Sequence, residues 1–305
     1  MTSVVAAKSG TQWSIESDGQ SAVVVEVGGT LRSYSAGDVA VLDGFTEDEL
    51  SPASAGQILA PWPNRIRDGK YTFEEQAYQL PLTEPARHNA IHGLVNWSRW
   101  TLVEQTASAV TLQFELPPQV GYPWWLTLRA TWSLSAAGLR CDTEVVNNSG
   151  SNAPWGYSVH PYLQLAGVSV DDTVLHVPGS TRIVADSRLL PIGAVPVPGT
   201  EYDFTEPRRI GDLVLDTTYG DIAHTGGVSE VTLADPASDR KVVVWADEKF
   251  RYWQVFSGDT LHGERFRRSV AVEPMTCPPD AFRTGRDLVV LAPGERWSAS
   301  WGIRG

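Results

Sequence analysis

The chain has 305 residues, 42% hydrophobic and 20% charged, and its 24 Lys and Arg against 36 Asp and Glu give a net charge of −12. That balance argues against nucleic acid and anionic membranes as main partners, since both require a basic face. No apolar run approaches the roughly 18 residues needed to span a bilayer. Two cysteines, Cys141 and Cys277, cannot build a disulfide framework, and the first 14 residues lack the basic-then-apolar layout of a secretory signal. The expectation is a soluble, cytoplasmic protein, monomer or homodimer.

Twelve Trp, nine Tyr, 27 Gly and 20 Pro suit strands and turns better than helices. Indole faces also suit sugars, but most of these Trp are expected in the core, where Trp is usually found. In chain order, short apolar runs predict strands at 23–27 and 112–116. A strict period of two at 126–145, with Leu126, Leu128, Ala130, Trp132 and Leu134 against Thr127, Arg129, Thr131 and Ser133, predicts a long antiparallel hairpin turning at Ser135-Ala136-Ala137-Gly138. Further strands are predicted at 174–177, 242–245, 252–256 and 297–303. The Pro- and Gly-rich stretch 178–211 reads as an ordered surface excursion, not a domain boundary. Apolar residues nowhere recur at helical spacing over a dozen positions. The fold class that follows is all-β, a large antiparallel β-sandwich with few short helices, as one domain over residues 1–305.

Polar residues in apolar surroundings mark where chemistry can lie, because burying them unpaired costs several kcal/mol. Four segments qualify. In Ala60-Pro61-Trp62-Pro63-Asn64-Arg65-Ile66, two prolines stiffen a bend from which Asn64 and Arg65 emerge. Arg65 offers a planar fork of donors for hydroxyls or a carboxylate, or serves as a structural ion-pair partner. In His88-Asn89-Ala90-Ile91-His92-Gly93, the missing side chain of Gly93 leaves room for a ligand beside His92, which is otherwise a satisfied core histidine. Trp155-Gly156-Tyr157-Ser158-Val159-His160-Pro161-Tyr162 sets a histidine among aromatics. Val270-Ala271-Val272-Glu273-Pro274 ends an apolar run in a carboxylate whose pKa burial should raise.

Together these segments resemble the aldose 1-epimerase (mutarotase) family. The resemblance rests on Pro63-Asn64-Arg65-Ile66, Gly69-Lys70-Tyr71, Asn89-Ala90-Ile91-His92-Gly93, the turn Asn147-Asn148-Ser149, His160-Pro161-Tyr162, Glu273-Pro274 and Pro279-Asp280-Ala281-Phe282, in the family's order. It implies a galactose mutarotase-like supersandwich with a cleft for a free sugar. It also implies Glu273 as the base at the C1 hydroxyl, His160 as the acid at the ring oxygen, and His92 as a group polarising that region. Arg65 and Asn64 would bind substrate oxygens. An aspartate would hold sugar hydroxyls, here Asp216, with Asp221 as the alternative because Thr217 stands where the family places a histidine.

Ring opening of a hemiacetal moves one proton off an oxygen and another onto a second oxygen, so an acid and a base suffice and no nicotinamide, flavin or metal is needed. His92, His160, Asp216 and Glu273 lack the local spacing of a metal site. A glycoside hydrolase would use Asp216 with Glu273 but leave both histidines idle. The rival from another class is a non-catalytic sugar-binding or sensing module. The expected substrate is a neutral aldose such as galactose or glucose, because Arg65 is the one strongly placed cation and Arg67 is expected to face solvent. A singly charged sugar acid or sulfonated sugar stays open. Cys277 reads as structural.

Overall fold

The computed structural model describes residues 6–305, so the first five residues of the N-terminal stretch inspected for a leader lie outside it. Among the described residues, secondary structure is nearly all strand; three single 3-10 turns and the four-residue helix Ala281–Thr284 complete it. Two large sheets dominate. The nine-stranded sheet runs in the order Thr101–Gln105, Ala109–Leu116, Leu126–Ser135, Gly138–Asn147, Arg296–Arg304, Lys241–Asp247, Val228–Ala234, Val174–His176, Arg208–Arg209. The hairpin expected at 126–145 forms its third and fourth strands, pairing Leu126 with Asn147 through to Ser135 with Gly138. Leu126, Leu128, Ala130, Trp132 and Leu134 are all buried, as the period of two requires.

The second sheet has eight strands. Its path is Pro191–Pro196, Gly179–Ala185, Asp216–Ile222, Tyr252–Phe256, Val270–Met275, Ser158–Val159 and Ile58–Leu59, with Tyr162–Leu163 also paired to Val270–Met275. Tyr252–Phe256 matches the expected bounds, and the other predicted runs fall within a few residues of their strands. The stretch 178–211 is more regular than an excursion. It folds into the hairpin Gly179–Ala185 and Pro191–Pro196 at the sheet's edge, where a proline removes no needed ladder bond.

Inward side chains of both sheets, including Leu128, Trp132 and Val244 from one and Tyr219, Trp253 and Val272 from the other, belong to one apolar cluster. Specific polar links cross it. Trp253 Nε1 donates to Ser229 Oγ at 2.9 Å and Thr143 Oγ1 donates to the Tyr157 hydroxyl at 2.7 Å. Nine of the twelve Trp are buried and Trp97 and Trp125 are exposed. None lines the cleft described below, where Tyr162 and Phe256 supply the aromatic surface. Here Trp builds the core.

Candidate active site

A cleft of about 330 Å³ opens on the eight-stranded sheet, and strand register determines what faces it. Pairing of Ser158 with Met275 and of Tyr162 with Ala271 sets His160 opposite Glu273. On the other side of the same strand Gln254 pairs with Glu273, and Thr218 pairs with Gln254. One row of side chains therefore crosses three strands and the short link between Ser158–Val159 and Tyr162–Leu163: Thr218, Gln254, Glu273, His160. Asp216 follows two residues from Thr218, on the same face.

His160 Nε2 lies 3.4 Å from Glu273 Oε1, and both side chains are buried. His160 stacks on Tyr162 with ring centroids 4.9 Å apart, and His92 meets His160 edge-on at 5.6 Å. Burial pushes Glu273 well above the ordinary carboxylate range, and nearby Asp216 adds to the effect. Burial pulls His160 down to about 4, with Arg65 acting in the same direction. His92 is lowered well below its ordinary value by burial, then by His160 and Arg65. His92 Nδ1, His160 Nδ1 and Glu273 Oε2 are buried without a hydrogen-bond partner. Among the described residues, the larger depressions elsewhere on the surface hold no such atoms.

Asp216 is reachable from the cleft, yet the walls withdraw enough water that burial raises its pKa against the pull of Arg65. Gln254 Nε2 donates to Asp216 Oδ1 at 2.6 Å, and Thr218 Oγ1 donates to Gln254 Oε1 at 2.5 Å, which fixes the amide's orientation. Asp221 lies elsewhere. It accepts from Thr181 Oγ1 and lines a separate groove with His224 and Arg251, so Asp216 is the aspartate at the cleft.

Arg65 begins the short strand Arg65–Arg67, which pairs with Asn89–Ile91. Just beyond that pairing, Asn64 and His92 both take left-handed backbone, with φ of 52° and 62°, and the His92 N–H donates to the Asn64 carbonyl at 2.9 Å. Asn64 Oδ1 accepts the Arg65 N–H, so its amide nitrogen is the part left for a ligand. Gly93 differs from expectation. The group in close approach is the Ala60 backbone, whose carbonyl oxygen would lie 2.0 Å from an added Cβ. The Pro279-Asp280-Ala281-Phe282 motif braces the same strand. Asp280 Oδ1 accepts the Arg67 N–H, the Asp280 N–H donates to the Arg65 carbonyl, and Phe282 packs on Trp62 and Tyr71. Arg67 is half-buried beside Asp186 at 3.5 Å and does not line the cleft.

Arg65 satisfies both sequence readings at once. It lines the cleft and also grips Glu84, Nε to Oε2 at 2.9 Å and Nη2 to Oε1 at 3.0 Å. Glu84 further accepts from Arg87 and Asn89, and those donors hold its pKa below the ordinary value despite burial. Sequence reasoning missed Glu84, Arg87 and Gln254. Gln254 carried the signal used for Glu273, a lone polar residue inside Tyr-Trp-Gln-Val-Phe; Glu84 sits in a polar turn and carried none. Cys277 is buried against Gly156, with its thiol pushed up to about 12 by burial. Among the described residues, no group of three or more His, Cys, Asp or Glu is arranged to hold a metal ion.

Residues 11–304 match the family model for aldose 1-epimerase. Uncharacterized protein YihR of Escherichia coli K12 is 34% identical over 289 residues, covering 94% of this chain and 91% of its own. A maltose epimerase of Levilactobacillus brevis is 27% identical over 250 residues, with 75% and 71% covered. The GalM/aldose epimerase homologue of C. elegans shares the fold with a TM-score of 0.85 at 16% identity, covering 96% of this chain and 98% of that one. No helix among the described residues is long and apolar enough to cross a membrane. The family model and these likenesses agree, and the chain belongs to the aldose 1-epimerase family of isomerases.

Proposed function

We propose that the protein interconverts the α and β anomers of a free aldose, with Glu273 and His160 moving the protons. The observation that carries this reading is the buried Glu273–His160 pair at 3.4 Å, whose remaining polar atoms have no protein partner. The directions of the two pKa shifts put the resting proton on Glu273 and leave His160 neutral. Carboxylate plus imidazolium holds the same number of protons, so a shift of one proton within the pair arms it without exchange with solvent. In that form Glu273 takes the proton from the C1 hydroxyl and His160 gives one to the ring oxygen. The C1–ring oxygen bond breaks as the carbonyl forms. Rotation about C1–C2 exposes the other carbonyl face, and the reverse transfers close the ring and restore both groups.

The remaining residues hold the sugar. Asp216, oriented by Gln254, accepts hydroxyl protons; the Asn64 amide and the Arg65 edge not taken by Glu84 donate; His92 polarises the region beside His160. One apolar core behind the cleft supports treating residues 1–305 as one functional domain. The substrate read from this lining is a neutral hexose. Glu84 already occupies two donors of Arg65, and Asp216 beside it disfavours a dianion. That one relative is a maltose epimerase makes the size of the sugar a real question.

Polarimetry of a freshly dissolved anomer, with and without protein, tests the reading. Acceleration is expected, with a plateau in kcat/KM that falls on the acid side near the depressed pKa of His160, about 4, and on the alkaline side as Glu273 loses its tightly held proton. Sugar binding without acceleration would favour the sensing module. A preference for glucose 6-phosphate that weakens with salt would overturn the neutral substrate.

A further inference from the structure

The hairpin at 179–196 reaches the cleft with its tip, and nothing in the proton chemistry uses it. Leu189 sits at that tip with φ of 59°, a left-handed conformation that costs a non-glycine residue about 1 kcal/mol and needs a reason to persist. Its side chain is half-buried and lines the cleft. The tip is fastened across the rim to the turn that carries Glu84 and Arg87. Arg188 Nε donates to the Arg87 carbonyl at 2.9 Å, and Nη2 reaches Asp68 Oδ1 at 2.7 Å and the His88 carbonyl at 2.8 Å. The Asn89 amide donates to the Arg188 carbonyl at 3.1 Å. Asp186 closes the tip on itself by accepting the N–H groups of Arg188 and Leu190, and it faces Arg67. A guanidinium bonded to two backbone carbonyls and a carboxylate is held far better than a single exposed ion pair.

Behind Leu189 the space changes abruptly. Arg65, Asp216 and Gln254 line the cleft on one side and also a small annex on the other, walled by Ile183 and Pro191 of the hairpin. The annex holds about 20 Å³, room for a single water-sized group. A pyranose with C1 and its ring oxygen at Glu273 and His160 directs other ring substituents toward Asp216 and Arg65. A hydroxyl fits there; a second sugar ring does not.

We propose that Leu189, clasped over the rim by Arg188, is a specificity-determining residue that restricts this site to monosaccharides. The inference rests on the mutarotase reading for where C1 lies, and on the hairpin geometry for the wall. Shortening Leu189 joins annex and cleft, and releasing Arg188 lets the tip move away.

The test compares kcat/KM of the intact protein for glucose, maltose and melibiose, which extend the reducing glucose at O4 and O6, in wild type, Leu189→Ala and Arg188→Ala. Wild type is expected to prefer glucose by about 100-fold over at least one disaccharide, and Leu189→Ala to narrow that preference by about tenfold. Arg188→Ala should narrow it too while raising KM for glucose. The proposal is overturned if wild type turns over both disaccharides within about threefold of glucose, or if Leu189→Ala moves both ratios by less than about threefold. If wild type accelerates no anomer interconversion at all, the mutarotase reading fails. The same sugars titrated by calorimetry then decide the wall, through the ratio of their dissociation constants in wild type and Leu189→Ala.

Discussion

The two large sheets use buried polarity differently. In the nine-stranded sheet, strands such as Leu126–Ser135 bury one face and wet the other, and the buried Thr143, Asn147 and Ser229 all have partners. Its orphaned buried atoms are the neutral indole N–H groups of Trp132 and Trp301. In the eight-stranded sheet, Tyr252–Phe256 and Val270–Met275 are buried along their whole length; apart from Arg182 Nε on the edge hairpin, the groups without partners there belong to titratable His160 and Glu273. Desolvating an ionisable group without pairing it weakens the fold, and doing so in a row beside a cleft marks a site kept for chemistry. One sheet holds the protein together, and the other carries the strain.

The largest effect should come from breaking that strain. Glu273→Gln keeps the shape but cannot take a proton, so kcat should fall about 10²–10⁴-fold, measured by polarimetry. His160→Asn should fall similarly, and the double variant by far less than the product, because the two act as a unit. The same Glu273→Gln protein should be more heat-stable than wild type at pH 8. The folded state holds the Glu273 proton more tightly than the unfolded chain does, so wild-type stability declines as pH rises above the ordinary 4.5 toward the raised folded value. The stability advantage of the variant should therefore grow from pH 4.5 upward. A variant less stable than wild type at pH 8 would contradict the burial cost.

In the other sheet the pattern reverses. Leu128 is fully buried between Phe114 and Val145, and Leu128→Ala should cost about 2–5 kcal/mol in denaturant unfolding with kcat nearly unchanged. A loss of turnover larger than the loss of folded protein would blur the division between the sheets.

Smaller effects sharpen the boundary of the site. Glu84→Gln removes the charge that holds Arg65, so KM should rise about tenfold with little change in kcat and a loss of up to roughly 3 kcal/mol in stability. A fall in kcat with KM unchanged would place Glu84 in the proton chemistry instead. The smallest expected effect is none. Exhaustive chelation followed by desalting should leave the rate unchanged, because the proposed steps move only protons. A loss restored by one divalent ion would return His92, His160, Asp216 and Glu273 to consideration as metal ligands.

Local chemistry made much of this legible in advance. The alternation at 126–145 determined a half-buried hairpin because side chains on a strand change face at every residue. An acid at the end of Val270-Ala271-Val272, and a histidine among aromatics before Pro161, stood out because their surroundings could not solvate them. Tertiary structure alone decided the rest. Asp216 and Asp221 lie five residues apart on one strand, and only the sheet's neighbours show which of them faces the cleft. Arg65 could be a ligand group or an ion-pair partner until Glu84 approached it from a turn 19 residues away. The clasp from Arg188 to Asp68 joins residues 120 apart, and nothing in either segment names the other. A chain specifies its faces and its unsolvated groups locally, through side-chain period and polarity. Which of those groups meet depends on the register of distant strands, a long-range property that one sequence does not display.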